Sequence, residues 1–236
     1  MGYVFEIHNE FGRFFDEKIY KWELNRRCPG VQLEVPIELT FEGFRKLYYL
    51  DALAEGGAAF EFKAVESLTD RHRSQLLHYL LMADLSHGKL VNLRTEQVQH
   101  EFVNTTLRAN DRAEFEIADH GWQEIGHKPI REWYTAFLRE VGACLDISLY
   151  EEALTHLLGG EEQTLQEVKV ISGGGIIGSQ KFHLVAPNVA FKVTTLSDDP
   201  SLFVKHARRL IEHTSLEAIQ WINITKEEVL FQTIRK

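Results

Sequence analysis

The chain has 236 residues, of which 44% are hydrophobic and 26% charged, a balance typical of globular proteins with a buried core. The net charge of −9 argues against a broad surface that binds polyanions, so a nucleic-acid partner would require a local basic groove or metal ions. Cys28 and Cys144 are too few for a disulfide framework or a cysteine-based zinc site and indicate a reducing, cytoplasmic location. No apolar run approaches the ~18 residues that span a membrane, and no signal peptide is predicted.

The N-terminal part of the chain predicts a helix followed by extended segments. Apolar side chains recur at three- and four-residue steps over residues 4–27, which indicates one helix. Residues 31–41 alternate between apolar and polar side chains, as in a strand, and Pro36 places that strand at an edge or a bulge. Residues 42–43 then turn the chain into a second extended segment at residues 44–53.

Two acidic side chains occupy matching positions of a predicted hairpin. A turn centred on Gly56 would place Asp51 opposite Glu61, because the two residues are equally far from the centre. Opposed residues on antiparallel strands have Cβ atoms roughly 4.5–5.5 Å apart, and two carboxylates that close can hold one divalent cation. Lys63 shares a strand face with Glu61, because side chains alternate along a strand. The spacing predicts a metal-dependent phosphodiesterase site, and the alternative is a solvated strand face with a weak ion pair.

A helix and two short strands follow the hairpin. Ser67 and Asp70 have the spacing of a capping box and predict the start of the helix. Residues 90–93 and 98–103 are then predicted as strands. The predicted element order of the first part of the chain is therefore α-β-β-β-α-β-β.

The second half of the chain echoes the first. Residues 107–128 are polar and irregular and are predicted to be a linker or excursion between domains at 1–106 and 129–236. Several residues recur at an offset of 128 to 131, which predicts a diverged duplication. The pairs are Gly12 and Gly142, Asp16 and Asp146, Tyr20 and Tyr150, Phe62-Lys63 and Phe191-Lys192, Leu68 and Leu196, Asn92 and Asn223, and Val98 and Val229.

The second copy lacks the acidic residues of the first. The offsets match Glu17 with Ile147, Asp51 with about His183, Glu61 with Ala190, Gln75 with about His206, and Lys63 with Lys192. A site without carboxylates cannot hold a divalent cation. The first copy is therefore predicted to carry the chemistry, and the second to be a degenerate copy kept for stability, pairing or substrate binding.

Several motifs of the N-terminal half form a recognisable set: HNEFG at 8–12, Glu17 with Tyr20, EFKAVESLT at 61–69, and Arg73, Gln75, Leu76, Tyr79 and Leu80. With these motifs, the N-terminal half resembles the GxxExxY proteins of the PD-(D/E)xK nuclease superfamily. The similarity covers about residues 5–93 and differs from the family pattern at Phe14, where a glycine is expected, and at Leu50, where a proline is usual.

The resemblance implies a fold and a set of functional residues. The fold would be α/β (α+β with a mixed sheet), with a restriction-endonuclease-like αβββαβ core. Asp51, Glu61 and Lys63 would be the catalytic set and Gln75 an accessory catalytic residue. Asp51 and Glu61, with Glu17 as an additional acid, would bind Mg²⁺ or Mn²⁺, which prefer oxygen ligands.

Other residues near the predicted site are candidates for substrate binding. Arg71 and Arg73 could contact phosphate from the first turn of the second helix, and Tyr79 shares a helix face with Gln75. The alternative for these residues is an ordinary polar surface. The glycine-rich segment 173–178 lacks the end of a P-loop and is predicted to be a turn between extended runs.

Two functions of different classes remain open from the sequence. The first is a Mg²⁺-dependent nuclease that cleaves DNA or RNA through Asp51, Glu61 and Lys63. The second is a catalytically inactive module of the same fold that binds nucleic acid or a protein. A third hypothesis is that the acidic residues contribute only to folding. Nucleic acid is the predicted partner, a homodimer is left open, and no membrane contact is expected.

Overall fold

The computed structural model describes residues 1–236, and the chain divides into two compact units. Unit 1 comprises Met1–Ala109 and unit 2 comprises Asn110–Lys236. Each unit contains its own sheet, five-stranded in unit 1 and six-stranded in unit 2. Both sheets are mixed and are flanked by helices, so the predicted mixed α/β fold class is confirmed.

Unit 1 begins with two helices, and its third helix lies between the third and fourth strands. Its elements are α1 (Gly2–Phe11), α2 (Glu17–Arg27), β1 (Gln32–Phe41), β2 (Phe44–Ala54), β3 (Ala58–Lys63), α3 (Asp70–Met82), β4 (His87–Asn92) and β5 (Gln99–Asn104). The strand order is β1-β2-β3-β4-β5, in which β3 and β4 run parallel and the other neighbours antiparallel. β1, which contains Pro36, is an edge strand as predicted.

The predicted single helix over residues 4–27 is wrong, because the chain breaks after α1. Gly12 ends α1 with a φ of +72°, a conformation that glycine adopts without steric cost. Asp16 then precedes α2 in an extended conformation. Apolar residues at helical spacing misled the prediction, because Phe14 and Phe15 lie exposed between the two helices and Trp22 of α2 is exposed as well.

The hairpin that carries the acids has the predicted register. Ala52 pairs with Phe60 and Ala54 with Ala58, so the turn is centred on Gly56. Continued by one residue, this register places Asp51 opposite Glu61.

Helices cover both faces of the sheet in unit 1. One face packs on α1 and α2 through a cluster that contains Val4, Ile7, Tyr20, Leu24, Ala52, Phe62 and Val91. The other face packs on α3 through a cluster that contains Leu50, Ala59, Leu68, Leu76, Leu80 and Leu90. The predicted helix start at Ser67 is wrong by two residues. The N-cap is Thr69, whose backbone N–H donates to Nδ1 of His72 at 3.1 Å.

Unit 2 opens with a short helix and an edge strand. Its elements are α4 (Ala109–Ala113), β6 (Glu116–Asp119), α5 (Ile130–Val141), α6 (Ile147–Leu157), α7 (Glu161–Thr164), β7 (Leu165–Ser172), β8 (Gly175–Ala186), β9 (Val189–Thr194), α8 (Ser201–Glu212), β10 (Ala218–Ile224) and β11 (Glu228–Arg235). Residues 107–128, predicted as a linker or excursion, thus contain α4 and β6, and β6 pairs in parallel with β11. The glycine-rich segment forms the turn between β7 and β8, as predicted.

From α5 onward, unit 2 has the element order of unit 1, with only α7 added. Its strand order is β7-β8-β9-β10-β11, and β6 extends the sheet beyond β11. The central pair β9 and β10 is parallel, like β3 and β4, and the flanking pairs β7–β8, β8–β9 and β10–β11 are antiparallel. The two units therefore share one topology.

The same hydrogen bond joins the first two helices of the shared topology in each unit. In unit 1 the hydroxyl of Tyr20 donates to the carbonyl oxygen of Gly12 at 2.6 Å. In unit 2 the hydroxyl of Tyr150 donates to the carbonyl oxygen of Gly142 at 2.9 Å. Both glycines end a helix with a positive φ. The sequence matches at an offset of 130 thus correspond to a shared helix-capping contact.

An asparagine near the end of β4 and of β10 makes the same pair of bonds with a backbone segment that follows the preceding strand, β3 or β9. Asn92 Nδ2 donates to the carbonyl oxygen of Val65 at 2.8 Å, and Asn92 Oδ1 accepts from the N–H of Val65 at 3.2 Å. Asn223 makes both bonds with Leu196, at 3.0 and 2.8 Å. Leu196 therefore corresponds to Val65, and the predicted match with Leu68 is wrong.

Strand register also corrects the predicted match of the central strands. In strand pairing, Lys63 lies opposite Asn92 and Thr194 lies opposite Asn223, so Thr194 corresponds to Lys63. Two residues earlier in each strand, Lys192 corresponds to Glu61. Lys192 therefore stands at the position of the buried acid, and the predicted match of Lys192 with Lys63 is wrong. The error arose because the Phe-Lys dipeptide recurs at an offset of 129, whereas the asparagine contacts fix the offset at 131.

Removing the hydroxyl of Tyr150 tests the capping contact. This hydroxyl also accepts from the N–H of Leu145 at 2.9 Å, and the side chain is fully buried. Tyr150→Phe leaves two backbone groups without partners, so we expect the free energy of unfolding to fall by about 1–3 kcal/mol. Denaturant unfolding followed by circular dichroism measures it, with exposed Tyr3→Phe as the control. Equal stability of the two variants would contradict the assigned role.

Candidate active site

Asp51 is held at a distortion between the first two strands of unit 1. Glu34, the third residue of β1, has a φ of +49°, which is unusual for a residue other than glycine. It lies between Leu33 and Val35, which pair with the neighbours of Asp51. Asp51 is 8% exposed, and its Oδ2 accepts from the N–H of Phe62 at 2.8 Å. The carboxylate is thereby fixed between β2 and β3.

Glu61 is the most buried acid of the site. It is 2% exposed, and its Oε1 accepts from Nζ of Lys63 at 2.7 Å. Its Oε2 is buried and has no hydrogen-bond partner. Burial, reinforced by the negative charge of Asp51, raises the pKa of Glu61 to about 7. An acceptor atom is thus left open in the centre of the site.

Lys21 on α2 compensates the charge of Asp51, and the sequence analysis does not identify it. Its Nζ donates to Oδ1 of Asp51 at 2.9 Å, contacts Glu34, and lies 3.4 Å from Oε1 of Glu17. Burial disfavours the charged amine, but hydrogen bonds to Asp51 and Glu34 outweigh it and raise the pKa of Lys21. The spacing of four residues between Glu17 and Lys21 is the one sequence signal for Lys21. It predicts the contact with Glu17 but not the contact with Asp51.

Glu17, the predicted third acid, lies at the edge of the same cluster. Its side chain is 31% exposed. Burial and the negative charge of Asp51 raise the pKa of Glu17. The structure therefore brings Glu17, Asp51, Glu61 and Lys63 into electrostatic contact, as the predicted site requires.

Lys63 remains protonated in this arrangement. Burial lowers the pKa of Lys63, but the charge and hydrogen bond of Glu61 outweigh burial and raise it overall. Its side chain is 14% exposed. A protonated amine can offset negative charge but cannot accept a proton from water.

The predicted helix residues Gln75 and Tyr79 contact one another on α3. Gln75 Nε2 donates to the hydroxyl of Tyr79 at 3.0 Å. Burial, with a contribution from the charge of Glu61, raises the pKa of Tyr79. Tyr79 is therefore within electrostatic reach of the buried acid, and Gln75 orients its hydroxyl.

The two predicted arginines differ in their surroundings. Arg71 is exposed at the start of α3. Arg73 is held by Glu101 on β5 through two bonds of 2.7 and 3.0 Å, and by Asp70 at 2.7 Å. Its guanidinium therefore already has carboxylate partners in this arrangement. A phosphate would have to compete with both acids for Arg73.

The acids do not form a three-ligand cage. No group of three or more histidine, cysteine, aspartate or glutamate side chains is arranged to hold a metal ion. Each buried acid is instead contacted by a lysine ammonium. Two carboxylates from adjacent strands and the open Oε2 of Glu61 nevertheless fit Mg²⁺, which often uses one or two carboxylates and takes its other ligands from water and substrate phosphate.

Comparisons with known proteins bear on unit 1. Residues 1–105 match a family model described as the PD-(D/E)XK nuclease superfamily. A solved structure, the crystal structure of SSO0001, aligns with a TM-score of 0.32 and 21% identity over 38% of this chain and 50% of that chain. The present chain thus spans about half the length of that protein. A search of curated proteins finds no match. Unit 1 is therefore similar to PD-(D/E)XK nucleases at the level of the superfamily.

The raised pKa of Glu61 predicts a pH-dependent stability. The folded state holds a proton on Glu61 up to about pH 7, whereas an unfolded glutamate releases it near 4.5. The folded state binds more protons in this window, so the free energy of unfolding falls as pH rises through it. Glu61→Gln removes this titration, so we expect the free energy of unfolding of the variant to fall less than that of the parent between pH 4.5 and pH 8.

Denaturant unfolding in EDTA at both pH values measures the difference. Glu96→Gln is the matched control, because Glu96 is an exposed glutamate of the same unit. An equal change in the free energy of unfolding between the two pH values for the parent and for Glu61→Gln would contradict the assignment.

Proposed function

We propose that unit 1 is a divalent-metal-dependent nuclease that hydrolyses phosphodiester bonds of DNA or RNA. The observation that carries the proposal is the pair of buried carboxylates, Asp51 and Glu61, on adjacent strands beside Lys63. The match of residues 1–105 to the PD-(D/E)XK nuclease superfamily supports the same reaction class. Asp51, Glu61, Lys63 and Gln75 are the proposed catalytic residues.

Asp51 and Glu61 would hold the cation, with Glu17 as a third acid at the edge. Mg²⁺ or Mn²⁺ bound there would polarise a phosphoryl oxygen and lower the pKa of a bound water. Asp51 reaches the site with one oxygen while its other oxygen accepts from the N–H of Phe62. This backbone bond keeps the carboxylate orientation fixed when Lys21 is displaced.

Lys63 acts on the phosphate as a positive charge. Because Glu61 raises the pKa of Lys63, its ammonium is present at neutral pH and can stabilise the charge that develops on the phosphate and the leaving oxygen. Gln75 and Tyr79 line the α3 side of the site and can hydrogen-bond a substrate phosphate. Arg71 is available for substrate contact from the exposed first turn, whereas Arg73 must first leave its acidic partners.

A catalytically inactive module for binding nucleic acid or a protein is the second candidate function. The observation that favours it is the pairing of Lys21 with Asp51 and of Lys63 with Glu61, which neutralises both acids without a metal. In that case the site would keep both ion pairs and would not bind a metal ion. Metal binding and cleavage distinguish the two functions.

We also infer that unit 2 is a diverged copy of unit 1 that has lost the acids. The shared topology and the matched tyrosine and asparagine contacts support this duplication. Cys28 and Cys144 are free thiols, which fits the inferred cytoplasmic location. None of the helices is both long enough and apolar enough to cross a membrane. A homodimer remains part of the proposal only as an open option.

A cleavage assay with paired variants tests the nuclease function. The full chain is incubated with Mg²⁺ or Mn²⁺ and single-stranded, duplex and branched substrates of DNA and RNA. Asp51→Asn and Lys63→Ala each remove one charge from the site, so we expect them to lower the cleavage rate at least ~100-fold. Lys18→Ala, an exposed lysine beside Glu17 on α2, should cleave at the parent rate.

Cleavage by Lys63→Ala at the parent rate would show that the activity comes from a contaminant and would reject the proposed catalytic set. Absence of both cleavage and Mn²⁺ binding in the parent would favour the inactive module. Calorimetric titration with Mn²⁺ provides the binding measurement, with Asp51→Asn as the comparison.

A further inference from the structure

Unit 2 contains a cavity of about 420 Å³ that the proposed nuclease reaction does not use. It lies among α6, β8, β9, α8 and β10 and has the size of small-molecule sites. Polar and charged groups at the cavity are Glu151, Gln180, Lys181, His183, Lys192 and His206. Aromatic side chains supply much of the remaining wall.

The cavity occupies the position in unit 2 that the candidate active site occupies in unit 1. Ala190 packs against Ala207 and Ile211 of α8, as Ala59 packs against leucines of α3, which fixes the correspondence of strand and helix. Three cavity residues then fall on residues of the candidate site. The correspondences are Glu151 to Lys21, Lys192 to Glu61, and His206 to Gln75.

The charges of this position are reversed in unit 2. In unit 1 the helix supplies a lysine and the strands supply acids, whereas in unit 2 α6 supplies Glu151 and β9 supplies Lys192. Oε1 of Glu151 lies 2.8 Å from Nζ of Lys192. Lys181 adds a second lysine to the cavity, so its lysines outnumber its single acid. This balance attracts an anion, while the surplus of acids in unit 1 attracts a cation.

Aromatic rings surround the charged groups of the cavity. Phe182, Phe191 and Phe203 line the wall, and the ring of Phe203 is stacked on Trp221 with centroids 4.4 Å apart. The packing of Phe203 on the buried Trp221 holds its ring in place. Fixed aromatic rings bind planar bases by stacking, and lysine ammoniums bind phosphate.

We propose that this cavity binds a nucleotide, with the phosphate at Lys181 and Lys192 and the base against the phenylalanine rings. The lysine of β9 would leave or share its contact with Glu151 when phosphate binds. This site extends the proposed function by giving unit 2 a ligand of the same chemical class. It uses neither Asp51 nor Glu61, so it can be tested without a metal ion and without cleavage.

Calorimetric titration of the full chain with thymidine 5′-monophosphate in EDTA tests the site. Lys181→Ala and Lys192→Ala each remove a charged phosphate contact, so we expect the dissociation constant to rise about tenfold in each variant. Lys226→Ala, an exposed lysine of the same unit outside the cavity, should bind like the parent. Circular dichroism verifies that each variant is folded, as expected because Lys181 and Lys192 are both exposed.

Further titrations show which part of the nucleotide Phe203 contacts and whether the ligand is a free nucleotide or part of a strand. Phe203→Leu should weaken binding of the nucleotide while leaving binding of inorganic phosphate unchanged, because the ring contacts only the base. A single-stranded oligothymidylate of about eight nucleotides, within the range of single-strand binding sites, distinguishes a nucleotide in a strand from a free one. Tighter binding of the oligonucleotide points to a strand, and equal binding points to a free nucleotide.

Two results would overturn the proposal. One is absence of binding of both the mononucleotide and the oligonucleotide to the parent. The other is binding that Lys181→Ala and Lys192→Ala leave at the level of the parent. Either result leaves the nuclease function of unit 1 to its own assay, because that assay reads metal-dependent cleavage and its loss in Lys63→Ala.

Discussion

The burial of two neighbouring carboxylates, Asp51 and Glu61, is the constraint on which unit 1 depends. Removing like charges from water is costly unless opposite charges compensate for them. Lys21 compensates Asp51 from α2, and Lys63 compensates Glu61 from the same strand. Because Lys21 lies on a helix and the acids lie on strands, this requirement fixes α2 against the sheet. Each buried acid thus has an ammonium partner in this structure.

Much of this arrangement could be predicted from the sequence, because it depends on local geometry. The turn at Gly56 sets the register of β2 and β3, and alternation along β3 places Glu61 and Lys63 on one face. Lys21 could not be predicted in the same way. Its contact with Asp51 crosses from a helix to a strand, and no short-range pattern encodes that distance. The distortion beside Asp51 could not be predicted either. The residue with the positive φ is Glu34, and a positive φ is predicted from sequence mainly where a glycine stands.

The two units share backbone-capping contacts, although the charged side chains of the candidate site differ between them. The bonds of Tyr20 and Tyr150 and those of Asn92 and Asn223 give hydrogen-bond partners to backbone groups at corresponding places in the two units. At the position of Glu61, unit 2 has Lys192, and the sequence offset assigned it wrongly because it followed a chance dipeptide. Backbone contacts are thus the better guide to correspondence between diverged units.

Anomalous diffraction from crystals of the full chain soaked with Mn²⁺ tests the central claim most directly. We predict a single strong peak in unit 1 in contact with carboxylate oxygens of both Asp51 and Glu61, with the ammonium of Lys21 moved away from Oδ1 of Asp51. The Asp51→Asn variant should lose the peak. A parent crystal without this peak, in which Lys21 and Lys63 keep their contacts with the acids, would contradict the account and leave the ion pairs as the purpose of the buried carboxylates.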